Sequence, residues 1–201
     1  MLKIWLVSDP MCSWCWGMAD AVAQARDTLA ARAEFDLILG GINTHGSQPI
    51  GAYGRRRMAK LWSEVQATTQ ASFGELVPSP YVHNSVPGCL AVEAVRQATE
   101  APPLAYLREL QRRFFLGGED ITQVDVLRQA AVQLDVQPEL FDRWYAAPET
   151  RARVEFQFVE ARAYGTNALP SVLVEAGNGK RRLLAGGYLS AEMLVELVDG
   201  V

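Results

Sequence analysis

Ile4 to Val7 is a short apolar run that meets the turn signal Asp9-Pro10, the pattern of a strand buried on both faces. Cys12-Ser13-Trp14-Cys15 follows at once. From Ser13 the apolar residues Met18, Val22, Ala25 and Leu29 recur every three to four positions, which predicts a helix from the cysteine pair to about Arg32. Phe35 to Leu39, closed by Gly40-Gly41, is the next strand. Strand, helix and strand at this spacing make a right-handed crossover between parallel strands. The cysteine pair therefore sits where a buried strand hands over to a helix.

Residues 44–165 carry no convincing strand and several helical signatures, so they are expected to be a helical insertion. Leu104, Leu107, Leu110 and Phe114 keep one apolar face, and Gly117-Gly118 ends that helix. Thr122 with Asp125 three residues on reads as a capping box ahead of Val124, Leu127, Ala131 and Leu134. Pro138 and Pro148 each stand where a first helical residue is favoured, and Gly165 is expected to end the second of those helices. The segments Gly46 to Gly54 and Pro78 to Pro87 read as loops.

After Gly165 the period changes again. Pro170-Ser171-Val172-Leu173-Val174 is β-branched and apolar, Asn178-Gly179 is a two-residue hairpin turn, and Arg182 to Ala185 pair back. Ser190 caps a last helix through Met193, Leu194 and Leu197. The chain thus reads as an α/β domain built from residues 1–43 and 166–201, interrupted by a helical domain over 44–165.

Composition narrows the function classes. The 201 residues are 49% hydrophobic and 21% charged, ordinary globular values that exclude wholesale disorder. A formal charge of -4 supplies no basic footprint, so nucleic acid and anionic membranes are not expected partners. Three cysteines are too few, and odd in number, for the disulfide framework of a secreted protein. The opening residues lack the apolar stretch of roughly 7 to 15 that a signal peptide needs. No apolar run approaches the roughly 18 residues of a membrane span. A soluble, cytoplasmic chain is the expectation.

Cys12 and Cys15 lie one helical turn apart, which allows a disulfide. Unpaired N–H groups and the positive end of the helix dipole are expected to lower the thiol pKa below the ~8.5 of a free cysteine, most of all at Cys12. Cys12, nearest the helix start and more exposed, is then the nucleophile, Cys15 the resolving thiol, and Ser13-Trp14 the dipeptide that tunes the pair. A zinc half-site is the alternative. Zinc needs four ligands, and Cys89, His83 and His45 are scattered with no second paired motif, so no metal is expected.

With Ser8-Asp9-Pro10-Met11-Cys12-Ser13-Trp14-Cys15-Trp16-Gly17, the helical insertion, and Asn167-Ala168-Leu169-Pro170-Ser171 in view, the whole chain resembles the DsbA-like branch of the thioredoxin superfamily. That branch includes FrnE-type and 2-hydroxychromene-2-carboxylate isomerase-like proteins. The resemblance implies a thioredoxin-like α/β fold with a large helical insertion, a cis Pro170 facing the cysteine pair, and no organic cofactor, with glutathione as a possible co-substrate. Proline lacks an N–H and can start a strand, which leaves the Leu169 backbone for an incoming peptide. Asn84-Ser85-Val86-Pro87-Gly88-Cys89-Leu90 partly matches a helix-opening stretch of those relatives, with cysteine where they carry histidine. Cys89 is therefore either a low-pKa thiol near the pair or a small buried apolar residue.

Asp9 could relay the proton of Cys15 or simply serve the turn before Pro10. Met11, Trp14, Trp16 and Tyr188 could form an apolar rim or core. His45 and His83 are general acids or structural residues, and Arg55 to Arg57 are a solvated helix face or a seat for glutathione carboxylates. Three functions follow: a thiol-disulfide oxidoreductase or isomerase acting on protein or glutathione disulfides, a glutathione-dependent isomerase or transferase, and a non-catalytic peptide-binding module. Retention of both cysteines argues against the second, since those relatives look to carry serine at the first position.

Overall fold

Strand β1 (Leu2–Ser8) is apolar from Ile4 to Val7 because both its faces are covered there. Ile4 and Leu6 join the main apolar cluster, while Trp5 and Val7 join a smaller one with Ile38, Ala161 and Leu173 on the opposite face. The computed structural model describes residues 1–175, 177 and 179–201. Helices α1 (Ser13–Gly17) and α2 (Ala19–Leu29) follow, then β2 (Ala33–Leu39), which pairs parallel to β1 from Leu2↔Ala33 to Ser8↔Leu39. The single helix expected from the cysteine pair to Arg32 is thus two, broken at Met18, whose φ of −93° and ψ of −6° serve both ends.

Between β2 and the next strand run α3 (Ala52–Thr69), α4 (Val86–Thr99), α5 (Leu104–Phe115), α6 (Val124–Val132), α7 (Pro138–Tyr145) and α8 (Pro148–Glu160), with no strand among these residues. Pro138 and Pro148 open their helices as expected, where a missing N–H costs nothing. Two expectations fail locally. Thr122 does not cap α6, because Asp120 takes its hydroxyl at 2.6 Å and Gln123 becomes the cap position. Helix α8 ends at Glu160, and the chain turns through four more residues before Gly165 adopts its φ of +79°. Helix α3 also begins inside the segment read as loop, and α4 at Val86 near the end of the second one.

Strand β3 (Ser171–Glu175) pairs antiparallel to β1, and β4 (Arg181–Gly186) antiparallel to β3, giving the order β2-β1-β3-β4. Of the expected hairpin turn, Gly179 has a φ of +76° and Asn178 lies outside the described residues. Helix α9 (Ala191–Asp199) is capped by Ser190, whose hydroxyl accepts the Met193 N–H at 3.2 Å. The main apolar cluster runs without a break from the sheet residues Leu37 and Val172 to Leu110 and Phe114 of α5 and Phe141 of α7. No described helix is long and apolar enough to cross a membrane.

Candidate active site

The end of β1, the start of α1 and the approach to β3 converge on Cys12. Cys12 is the N-cap of α1, and its sulfur accepts the Cys15 N–H at 3.2 Å. The Leu169–Pro170 peptide is cis, as the resemblance implied. The Leu169 carbonyl faces Cys12 and accepts from its thiol at 3.7 Å, while the Pro170 carbonyl takes the Gly187 N–H at 2.8 Å.

Cys12 lines a groove of about 360 Å³ with Ser13, Trp14, Leu61, His83 and Leu169. The floor needs Gly40 and Gly41. A Cβ on Gly40 would lie 2.6 Å from Leu169, and Gly41 has a φ of +71° with Phe158 against it. Arg162 spans the groove end, donating to the Gly40 and Gly41 carbonyls at 3.0 and 3.1 Å. A second hollow of about 510 Å³, sharing Met11, Ser13, Leu61 and His83 with the first, extends along α3 to Arg57 and Lys60.

The thiol chemistry differs from the expectation for a helix start. Cys12 is 5% exposed and Cys15 4%, so the two are about equally buried; what separates them is that Cys12 borders the groove. Burial pushes the Cys12 thiol well above its ordinary range, the neighbouring Cys15 thiol adds to the rise, and the Cys15 N–H offsets only part of it. One N–H at the start of a five-residue helix is outweighed by desolvation. In the reduced protein, Cys12 alkylation by iodoacetamide is therefore expected to be slow at neutral pH and still climbing above the ~8.5 of a free cysteine. A rate that levels off below neutrality would contradict this picture.

Asp9 is fully buried and does not reach Cys15. Its Oδ1 accepts the Met11 N–H at 2.8 Å, and its Oδ2 accepts the Ser85 hydroxyl at 2.7 Å and the Ile42 N–H at 3.1 Å. Burial raises its pKa against these bonds. Asp9 thus ties the loop before the cysteine pair to the end of β2 and the start of α4. Cys89 donates to the same carboxylate at 3.5 Å and is fully buried; burial and the Asp9 charge raise its pKa, which corrects the low-pKa reading and matches the buried one.

Of the candidate rim, Trp14 and Met11 line the groove. Trp16 instead packs on Phe115, with ring centroids 6.1 Å apart, and Tyr188 packs against the main cluster. His83 lines the groove beside Tyr81, and burial lowers its pKa, whereas His45 is exposed on a loop. Arg55 is tied to the Val77 carbonyl at 2.6 Å, and Arg57 lies over Tyr53. Sequence alone does not mark Arg162 or Gly40 as site residues, because their roles come from contacts between segments more than a hundred residues apart, nor Leu61, which reaches the groove from α3.

This architecture, with a cysteine pair at a helix start beneath a cis-proline loop, is that of a thioredoxin-like protein of the DsbA class. Its structural neighbours are DsbA-like oxidoreductases. A provisionally assigned protein disulfide isomerase from Nitrosomonas europaea superimposes with a TM-score of 0.89 at 28% identity, covering 99% of this chain and 96% of the other. The cytosolic disulfide reductase DsbM from Pseudomonas aeruginosa gives 0.78 at 24%, over 92% and 89%. A 2-hydroxychromene-2-carboxylate isomerase gives 0.65 at 11%, over 98% and 93%. No protein-family profile and no curated protein sequence matches the chain.

Proposed function

We propose that this protein is a cytoplasmic disulfide reductase that works through Cys12 and Cys15 without a metal or organic cofactor. The observation that carries the reading is the Cys12 sulfur at the groove, between the Leu169 carbonyl and the Cys15 N–H. Cys12 gives up its proton, and its thiolate attacks one sulfur of a bound disulfide. One substrate thiol leaves, and a mixed disulfide remains on Cys12. Cys15 then attacks the Cys12 sulfur, closing the Cys12–Cys15 disulfide and releasing the second thiol. Two electrons pass from the pair to the substrate.

The burial of Cys12 supports this direction. A strongly oxidising pair owes its potential to a stabilised reduced form. Here burial withholds that stabilisation from the thiolate, so the pair favours becoming the disulfide. The name of DsbM, a cytosolic disulfide reductase, agrees with that direction and that compartment. That protein has also been solved with GSH, which supports small thiols and disulfides as partners. In this chain the hollow leading to Arg57 and Lys60 offers cations for the carboxylates of such a tripeptide.

The test is the equilibrium of the pair in graded glutathione buffers, read by alkylation and intact mass. A reversible two-electron transition is expected, nearer the reducing end of the ~−270 to ~−120 mV span of such pairs. A pair that stays reduced throughout, or that takes up a single glutathione, would overturn the reading in favour of a glutathione-dependent isomerase or transferase.

A further inference from the structure

Resolution requires the Cys15 thiol to lose a proton, yet Cys15 is 4% exposed and the Asp9 carboxylate makes its bonds elsewhere. On a different side from the groove, Cys15 borders a cavity of about 70 Å³ between α2 and α5. Two of its lining residues, Arg26 and Arg108, are exposed, which places the mouth of the cavity at the surface. Two more are polar and deep: Ser8, 6% exposed at the end of β1, and Gln111, 2% exposed on α5.

Gln111 directs its Nε2 to the Asp9 carbonyl at 3.2 Å, and its side-chain oxygen bonds to no described residue. Among the described residues the Ser8 hydroxyl has no hydrogen-bond partner either. Polar groups that line a cavity in this way are normally satisfied by water, and the volume exceeds the ~10 to 15 Å³ that one water needs.

Resting on the reading of Cys15 as the resolving thiol, we infer that this cavity is a water-filled proton path to Cys15, with Ser8 and Gln111 positioning its waters. The Cys15 proton passes to a cavity water and leaves by the mouth near Arg26 and Arg108. The thiolate left behind attacks the Cys12 sulfur, the bond from Cys12 to the substrate sulfur breaks, and the departing thiolate takes a proton from the groove side. Proton exit and product release then occur on separate sides of the cysteine pair, so a bound substrate does not block the path.

The experiment is stopped-flow reaction of the reduced protein with the chromogenic disulfide dithiobis-nitrobenzoate. Attack by Cys12 releases one thionitrobenzoate, and resolution by Cys15 releases a second. In the double variant Ser8→Ala, Gln111→Met the second phase is expected to slow about 10- to 100-fold and to become proportional to hydroxide concentration, as positioned proton transfer is lost. The first phase serves as the internal reference, and Ser8→Thr, which keeps the hydroxyl, is expected to retain the original pH profile. Should the double variant fail to fold, Ser8→Ala alone carries the same comparison. A second phase unchanged in rate and pH profile would overturn the proton path, as would a slower phase with an unchanged profile, which marks a merely structural role. Release of a single equivalent by the unmodified protein would instead overturn the dithiol reading on which the path rests.

Discussion

Replacing Cys12 by serine lowers disulfide reduction at least about a thousandfold, because a serine hydroxyl supplies no nucleophile comparable to a thiolate at neutral pH. Replacing Cys15 by serine has a different signature. Cys12 still attacks, but nothing resolves the intermediate, so the protein accumulates with one substrate thiol attached. Intact mass after mixing with a disulfide separates the two variants: no adduct for Cys12→Ser, one stable adduct for Cys15→Ser. This order of roles is the proposed one: Cys12 borders the groove under Leu169, while Cys15 turns its N–H to the Cys12 sulfur and borders the cavity on another side. Cys89, fully buried against Asp9, carries no adduct in either variant. An adduct of equal yield on Cys15 in the Cys12→Ser protein would reverse the assignment. Turnover retained in that variant would remove the cysteine pair from the chemistry altogether.

Much of the scaffold around that pair was legible in the sequence, because its signals are local. A four-residue apolar run, a cysteine pair at the onset of a helical period and a proline opening a β-branched run locate β1, α1 and β3 without tertiary information. Helix starts at Pro138 and Pro148 and the cap at Ser190 were readable for the same reason. What resisted reading depends on competition between contacts. Thr122 had the spacing of a cap, but Asp120 is closer and took its hydroxyl. Helix α3 buries only Trp62 and Val65 along eighteen residues, so its apolar period was too faint to mark it.

The thiol pKa was misread for a related reason. The helix start is visible in the sequence, whereas the burial of Cys12 under a loop more than 150 residues away is not. Asp9 illustrates the same limit. Its proximity in sequence to the cysteine pair suggested a proton relay, but its carboxylate turns toward Ser85 and Cys89. Gln111 did leave a trace. It falls in register with Leu104, Leu107 and Phe114 on the buried face of α5, and a polar residue at such a position needs a partner or a purpose.

Substitution of Phe115 by alanine is expected to cost about 3 to 5 kcal/mol of stability, the range for deleting a fully buried aromatic ring. Phe115 is fully buried, and its ring meets four others: Trp16 at 6.1 Å, Trp62 at 5.3 Å, Phe73 at 5.6 Å and Phe114 at 4.8 Å. Those partners come from α1, α3, the segment after α3, and α5 itself, so the ring joins the insertion to the helix that carries the cysteine pair. Against a typical total of about 5 to 15 kcal/mol, such a loss takes a large fraction of the stability. Urea unfolding would show it as a lowered midpoint, with Phe115→Leu falling between the two because leucine refills part of the cavity. Phe156→Ala provides the contrast, since Phe156 is 67% exposed and its loss is expected to stay within about 0.5 kcal/mol. Trp16 immediately follows Cys15 and stacks on Phe115, so the same substitution loosens α1, and resolution by Cys15 is expected to slow even in the fraction that remains folded. A Phe115→Ala protein with the midpoint of the unmodified chain would show that the aromatic cluster does not bind the insertion to the cysteine helix.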